Sequence, residues 1–333
     1  MQVYTQVSDL PPDSRGRFIT VGAFDGVHRG HQALLQRLRQ LAREHSVHAC
    51  VLTFEPHPQI ILGKQPPLGI LTTLSEKLEH ISQIGINETI VLPFTTELAR
   101  TDAETFVRHY LVEQLHIYGI LVGHDHMFGR KRQGNAELLR RIGTEVGFIV
   151  EHFPPVTVGG IVVSSSAIRR ALREGDVETA AKLLGRPYSL CGTVVHGDGR
   201  GRILGFPTAN IVPEDPRKVL PAYGVYIVTT RISGKPHAGL LSYGVRPTFG
   251  RELPPQLELY VLDFSGTLYN ERLCISFWSC IRAEVAFPDA DTLRRQMEAD
   301  EAYCRAWIAQ HHALEPGSTT VLEHIHGDQG TKS

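Results

Sequence analysis

The 333-residue chain has no apolar run that could span a bilayer, a task that needs about 20 consecutive apolar residues. The stretch Met1 to Leu10 lacks a basic segment followed by an apolar core, so no signal peptide is expected. Cysteine is scarce and scattered: Cys50, Cys191, Cys274, Cys280 and Cys304 are odd in number and form no Cys-x-x-Cys. That pattern argues against a disulfide framework and against a zinc site, and it fits a reducing cytoplasm. An excess of either charge is missing too. With 34 basic and 35 acidic residues the net charge is −1, which gives no bulk field for nucleic acid or an anionic membrane. No helix-turn-helix, basic patch, internal repeat or long low-complexity tract occurs. These absences leave an ordinary globular chain, 42% hydrophobic and 21% charged, long enough for two domains.

The first half alternates strand-like and helix-like segments, which predicts an α/β domain with a largely parallel sheet. Strands are expected at 17–21, 48–54, 89–94 and 119–123, and helices from about Gly30 and over 102–115. Ser164 to Leu184 reads as two short helices, with Gly175 ending the first and Asp176 capping the second. Gly185-Arg-Pro187 breaks the pattern, so the boundary is placed between residues 184 and 185. Beyond it the periodicity becomes alternation, which predicts a small antiparallel barrel. One hairpin is expected from Val225–Ile232 and His237–Tyr243, and a second from Leu257–Asp263 and Leu273–Phe277. A helix is expected from Asp291 to about Gln310, and the polar residues 313–333 are expected to be a disordered tail.

Three motif candidates fall at strand ends, where such sheets bind ligands: Gly22–His31, Phe54–Pro58 and Gly123–Gly129. In the first, a glycine-punctuated loop opens into a helix and carries two histidines three residues apart. Free backbone N–H groups and the positive end of the helix dipole make that junction a seat for phosphate. The loop has neither the Lys-Ser/Thr ending of a P-loop nor the glycine spacing of a dinucleotide fingerprint. Ser164-Ser-Ser-Ala-Ile-Arg-Arg170 offers hydroxyls and a guanidinium at a helix start, although alone it reads more readily as a routine capped helix. In the second half, Gly197 to Ile211 supplies glycines, arginines, a hydroxyl and an amide.

Gly22-Ala-Phe-Asp-Gly-Val-His-Arg-Gly-His31 resembles the Gly-x-Phe-Asp-Gly-x-His-x-Gly-His signature of flavin-specific nucleotidyltransferases. Gly205-Phe-Pro-Thr-Ala-Asn210 resembles the Pro-Thr-Ala-Asn motif of riboflavin kinases. From about residue 15 to about 310 the chain resembles the bacterial bifunctional riboflavin kinase/FAD synthetase family. The resemblance implies a Rossmann-like nucleotidyltransferase domain at 1–184, then a β-barrel kinase domain at 185–312 ending in a helix. It implies that riboflavin is phosphorylated to FMN and that FMN is adenylylated to FAD, with ATP as co-substrate and Mg²⁺ as cofactor.

For adenylyl transfer it assigns His28, His31 and Arg169 to the reacting phosphates. Gly22, Phe24, Asp25, Gly30, Ser165 and Ser166 belong to that ATP site, and Asp125 and Phe128 to the flavin. In the kinase it assigns Gly205, Thr208 and Asn210 to ATP, Thr208 and Asn210 also to Mg²⁺, Glu258 as general base, and Arg246 to flavin. Ala23, His126, Asn135, Ser166, Ser242 and Tyr260 stand where the family more often has other residues. A single-activity riboflavin kinase or FAD synthetase, its other module only binding flavin, is the alternative. A flavin-sensing regulatory protein is a further one. Small molecules are the expected partners, with neither nucleic acid nor membrane, on a monomer or weak homo-oligomer in the cytoplasm.

Overall fold

The computed structural model describes residues 1–10, 16–63, 69–124, 127–130, 133–197, 201, 205–245 and 254–311. They divide into two compact units after Ser165. The first holds strands β1 (Gln2–Tyr4), β2 (Arg17–Val21), β3 (His48–Glu55), β4 (Glu88–Pro93), β5 (Ile117–Gly123) and β6 (Ile149–Phe153), with a small hairpin, β7 (Thr157–Val158) and β8 (Ile161–Val162). Its helices are α1 (Arg29–Glu44), α2 (Pro58–Ile61), α3 (Leu74–Ile84), α4 (Thr96–Arg100), α5 (Ala103–Thr105) and α6 (Ala136–Val146), and a π-helix covers Phe106–Gln114.

The sheet runs β1-β4-β3-β2-β5-β6, with every pair parallel. Successive residues of β2 face opposite layers, as strand geometry requires. Phe18 packs with Leu34, Leu35, Leu38 and Leu41 of α1; Ile19 and Val21 pack with Phe106, Val107, Leu111 and Leu139. Both faces are covered, which is why β2 and β3 are buried along nearly their whole length and mostly apolar. The chain walks outward through β2, β3 and β4, then returns to place β5 on the other side of β2. That reversal opens a crevice at the carboxyl ends of β2 and β5, the usual ligand position in such sheets.

The second unit begins within α7 (Ser165–Arg173), continues with α8 (Val177–Leu184), and then forms a closed barrel. Its strands are β9 (Tyr188–Val195), β10 (Thr208–Pro213), β11 (Gly224–Ile232), β12 (Lys235–Gly244), β13 (Gln256–Val261) and β14 (Arg272–Ala283), followed by α9 (Ala290–His311). Gly175 and Asp176 separate α7 from α8 as expected: Gly175 has φ 81° and Asp176 accepts from Thr179 N at 2.8 Å. The barrel order is β10-β13-β12-β11-β14-β9, antiparallel throughout. Leu257, Leu259 and Val261 of β13 are buried, while Gln256, Glu258 and Tyr260 alternate with them on the opposite face. On that outer side α9 packs its Cys304 against Leu240 and Trp278.

Three sequence expectations are corrected. The β11–β12 hairpin forms, but β13 and β14 do not pair, because β12 and β11 lie between them in the barrel. Alternation identifies a strand and says nothing of its neighbour. The run 102–115 is helical but mostly π-wound, which sets Phe106, Leu111 and Leu115 on one core face at spacings of five and four. Finally, Cys191 and Cys274 form a disulfide across β9 and β14, where they are direct register partners. A sequence separation of 83 hid that adjacency; Cys50, Cys280 and Cys304 remain thiols. The expected tail lies outside the described residues.

Candidate active sites

In the first unit the loop from Gly22 to His28 joins β2 to α1 at the crevice. Gly22 N donates to Leu52 O at 3.0 Å, extending the β2–β3 pairing by one residue. The chain then turns sharply, with φ 48° at Phe24, 86° at Gly26 and 38° at Val27. A β-branched residue rarely adopts that last conformation, so the surrounding bonds must hold it. Asp25 supplies much of that hold. Its buried carboxylate accepts from Leu71 N at 2.9 and 3.0 Å and from Thr72 N at 3.0 Å, and Gly26 N donates to Thr72 Oγ1 at 2.9 Å. On another side, Ser165 Oγ donates to Asp25 O at 2.8 Å.

His28 caps α1, its Nδ1 accepting from His31 N at 3.2 Å. That bond makes Nδ1 the unprotonated nitrogen, so a neutral His28 carries its proton on Nε2 and can donate there. The rings of His28 and His31 stack with centroids 3.6 Å apart, and Phe24 meets His31 edge-on at 5.0 Å. Gly30 leaves room beside the pair: a Cβ there would lie a tight 3.2 Å from His28 Nδ1. Burial, then the charges of His28 and Lys77, push the His31 imidazole well below its ordinary 6.5. Among the described residues, Arg29 Nε and His31 Nδ1 are buried polar atoms without a hydrogen-bond partner. Both lie in the first turn of α1, where the helix dipole favours an anion.

Phe128 pairs with Gly134 through two backbone bonds and packs its ring 6.0 Å from Phe106 of the π-helix. Asn135 is committed to capping α6, accepting from Leu138 N at 2.9 Å. Asp125, His126 and Arg246 lie outside the described residues. In α7, Ser166 is exposed at the first turn and Arg169 is buried four residues beyond Ser165.

On the barrel, Thr208 and Asn210 of β10 share the outer face with Glu258 of β13. Thr208 Oγ1 donates to Glu258 Oε2 at 3.3 Å, and Asn210 is the direct register partner of Glu258. Ser242 flanks Glu258 from β12. Gly205 leads into Phe206, which packs edge-on against Tyr260 at 5.2 Å. Tyr260 in turn donates to Glu301 of α9 at 3.2 Å. Gly197 lies against the Asn210 amide so closely that a Cβ there would overlap it.

Sequence reading missed Thr53, Thr72 and Lys77, which support the first loop from behind. Lys77 left one signal: it shares the buried stripe of α3 with Ile81, where a lysine is out of place.

A parallel-sheet domain with a glycine- and histidine-bearing loop at a helix start, followed by a barrel bearing a carboxylate, a hydroxyl and an amide in one row, is the arrangement of a two-domain enzyme acting on nucleotides. The comparisons agree with this class. The family model for FAD synthetase matches residues 10–167, and that for riboflavin kinase matches residues 184–308. Proteins named bifunctional riboflavin kinase/FMN adenylyltransferase are similar over nearly the whole chain. That of Listeria monocytogenes is 38% identical over 88% of this chain and 93% of its own. The Pseudomonas fluorescens protein is 38% identical over 93% and 98%, and the Escherichia coli protein 37% over 88% and 93%. A crystal structure described as a macrolide-efflux protein from Streptococcus pneumoniae matches with TM-score 0.81 and 32% identity, covering 92% of this chain and 98% of that one. The chain belongs to the bifunctional riboflavin kinase/FMN adenylyltransferase family.

Proposed function

We propose that the family's two reactions are carried by two separate residue sets, one in residues 1–184 and one in residues 185–312. Riboflavin is phosphorylated first. Glu258 takes the proton of the riboflavin 5′-hydroxyl as that oxygen attacks the γ-phosphorus of ATP, and ADP leaves. The Thr208 hydroxyl and the Asn210 amide oxygen are hard oxygen donors on one face of β10 and so fit Mg²⁺. When bound, Mg²⁺ would supply positive charge that offsets the negative charge of the ATP phosphates. Thr208 and Asn210 are the residues that would hold it, and Arg246 contacts the flavin.

Adenylyl transfer follows. A phosphate oxygen of FMN attacks the α-phosphorus of ATP, the bond to the bridging oxygen breaks, and pyrophosphate leaves. No enzyme nucleophile is needed, so the protein's work is positioning and charge. His28 donates from Nε2, the first turn of α1 adds its N–H groups, and His31 stays neutral as a hydrogen-bonding rather than a charged partner. Arg169, Ser165 and Ser166 complete the phosphate contacts. Gly22, Phe24, Asp25 and Gly30 shape the loop, while Asp125 and Phe128 contact the flavin. The observation that carries the reading is the stacked histidine pair at the head of α1, with a buried, unpartnered nitrogen on His31.

No helix among the described residues is long and apolar enough to cross a membrane. We place the enzyme in the cytoplasm with ATP, acting on small molecules as a monomer or weak homo-oligomer. Incubation with riboflavin, ATP and Mg²⁺ should yield FMN and ADP, then FAD and pyrophosphate. Absence of both flavin products would overturn the reading, and arrest at FMN would leave a single-activity kinase.

A further inference from the structure

Lys77 is almost fully buried, although lysine is among the residues least often found there. It projects from α3, and its Nζ donates to Thr53 Oγ1 at 3.5 Å and to Phe54 O at 3.4 Å. Thr53 Oγ1 in turn donates to Ala23 O at 3.2 Å. The bonds form a directed chain from an ammonium group through a hydroxyl to the carbonyl beside Phe24. The segment just ahead of α3 grips the same loop from another point, since Leu71 and Thr72 hold the Asp25 carboxylate. Thus α3 and its leading turn support residues 23–25 twice, once from a cation through the Thr53 hydroxyl and once directly with backbone N–H groups.

Burying a cation is costly, and a stable fold would be served as well by a methionine at this place. Burial lowers the Lys77 pKa, while the nearby charges of Glu55 and Asp25 raise it. The charged groups acting on His31 are His28 from the loop and Lys77 from α3. A positive charge kept beneath a phosphate-binding loop, at an energetic cost, points to work on the bound anions.

We propose that Lys77 is a positioning residue for adenylyl transfer, acting through Thr53 on the loop that carries Phe24, Asp25 and His28. The inference rests on the assignment of that loop to the adenylyl step. Its charge holds the loop in register and adds positive potential behind the ATP phosphates, without touching them.

The test uses the full chain. Lys77→Met should lower kcat for FAD formation from FMN about 10- to 100-fold, the penalty of a small misplacement of the reacting groups. FMN formation from riboflavin should stay at the wild-type rate. Lys77→Arg should recover most of the loss, whereas Lys77→Gln should not. Thr53→Val should lose a similar factor, and the Thr53→Val/Lys77→Met double variant should lose no more than the worse single one, since both break one chain.

If Lys77→Met does not fold, shown by a missing calorimetric transition, the Arg and Gln variants decide by the same comparison. A wild-type kcat for FAD formation in the folded Met or Gln variant would overturn the inference. So would a loss of thermal stability with kcat unchanged, which is what a merely structural lysine would give. Additive losses in the double variant would remove Thr53 as the route and overturn it as stated. A wild-type protein that makes no FAD would instead overturn the reading of the loop itself.

Discussion

Replacing Asp25 by asparagine keeps the side chain's shape and removes its charge. The carboxylate now takes two backbone N–H groups, from Leu71 and Thr72, and the Thr72 hydroxyl at 3.3 Å. All three donors reach Oδ1, so an asparagine oxygen there keeps them as neutral bonds, while its NH₂ group takes the place of Oδ2 against the Leu71 N–H. Loss of charge assistance costs about 1 kcal/mol for each of the three bonds, so the penalty is about 3 kcal/mol. For a domain of this size each kcal/mol moves the midpoint about 2–4 °C, which predicts a fall of roughly 6–12 °C. The loop that Asp25 anchors should loosen as well, lowering FAD formation from FMN by about 10-fold or more. The assay is parallel thermal inactivation of FAD formation and FMN formation in one preparation. Only the first should become heat-sensitive. An unchanged midpoint with an unchanged rate of FAD formation would refute the claim that Asp25 is the loop's anchor.

Two further outcomes follow from the same geometry. Because the His31 pKa is lowered in the folded protein, the unfolded chain binds a proton first as pH falls below the ordinary 6.5. Stability is therefore complete above that pH and declines beneath it, by at most about 1.4 kcal/mol per pH unit. Calorimetry between neutral and mildly acid pH should show that decline in the wild type and a shallower one in His31→Gln. On the barrel, Gly197→Ala would force a methyl group into the Asn210 amide. FMN formation should drop by about 10-fold while FAD formation from added FMN holds; equal loss of both would contradict separate sites.

Much of the parallel-sheet domain was legible because its strands are buried on both faces and its helix α1 repeats leucine at helical spacing. The His28–His31 loop was legible for a chemical reason: few uses other than anion binding gather glycines and histidines at a helix start. Its supports were not. Lys77 looks like any surface lysine until α3 is placed, and Thr53 sits inside a strand whose apolar neighbours disguise it. Asp25 reads as a nucleotide ligand from its motif, whereas its carboxylate is engaged by Leu71 and Thr72, some 46 residues away. Barrel order and the Cys191–Cys274 bond were hidden because register is a long-range property set by closure of the whole barrel. The row of Thr208, Asn210 and Glu258 was legible only as separate motifs; the β10–β13 pairing brings them together.

The most direct test of two independent sites on one chain is complementation between two crippled forms. His31→Ala should stop at FMN when given riboflavin, ATP and Mg²⁺. Glu258→Gln should make no FMN yet convert added FMN to FAD. Mixed in equal amounts and supplied with riboflavin, ATP and Mg²⁺, the two should make FAD that neither makes alone, with FMN passing through solution between them. A mixture that yields no FAD, although each variant retains its own remaining step, would contradict the account.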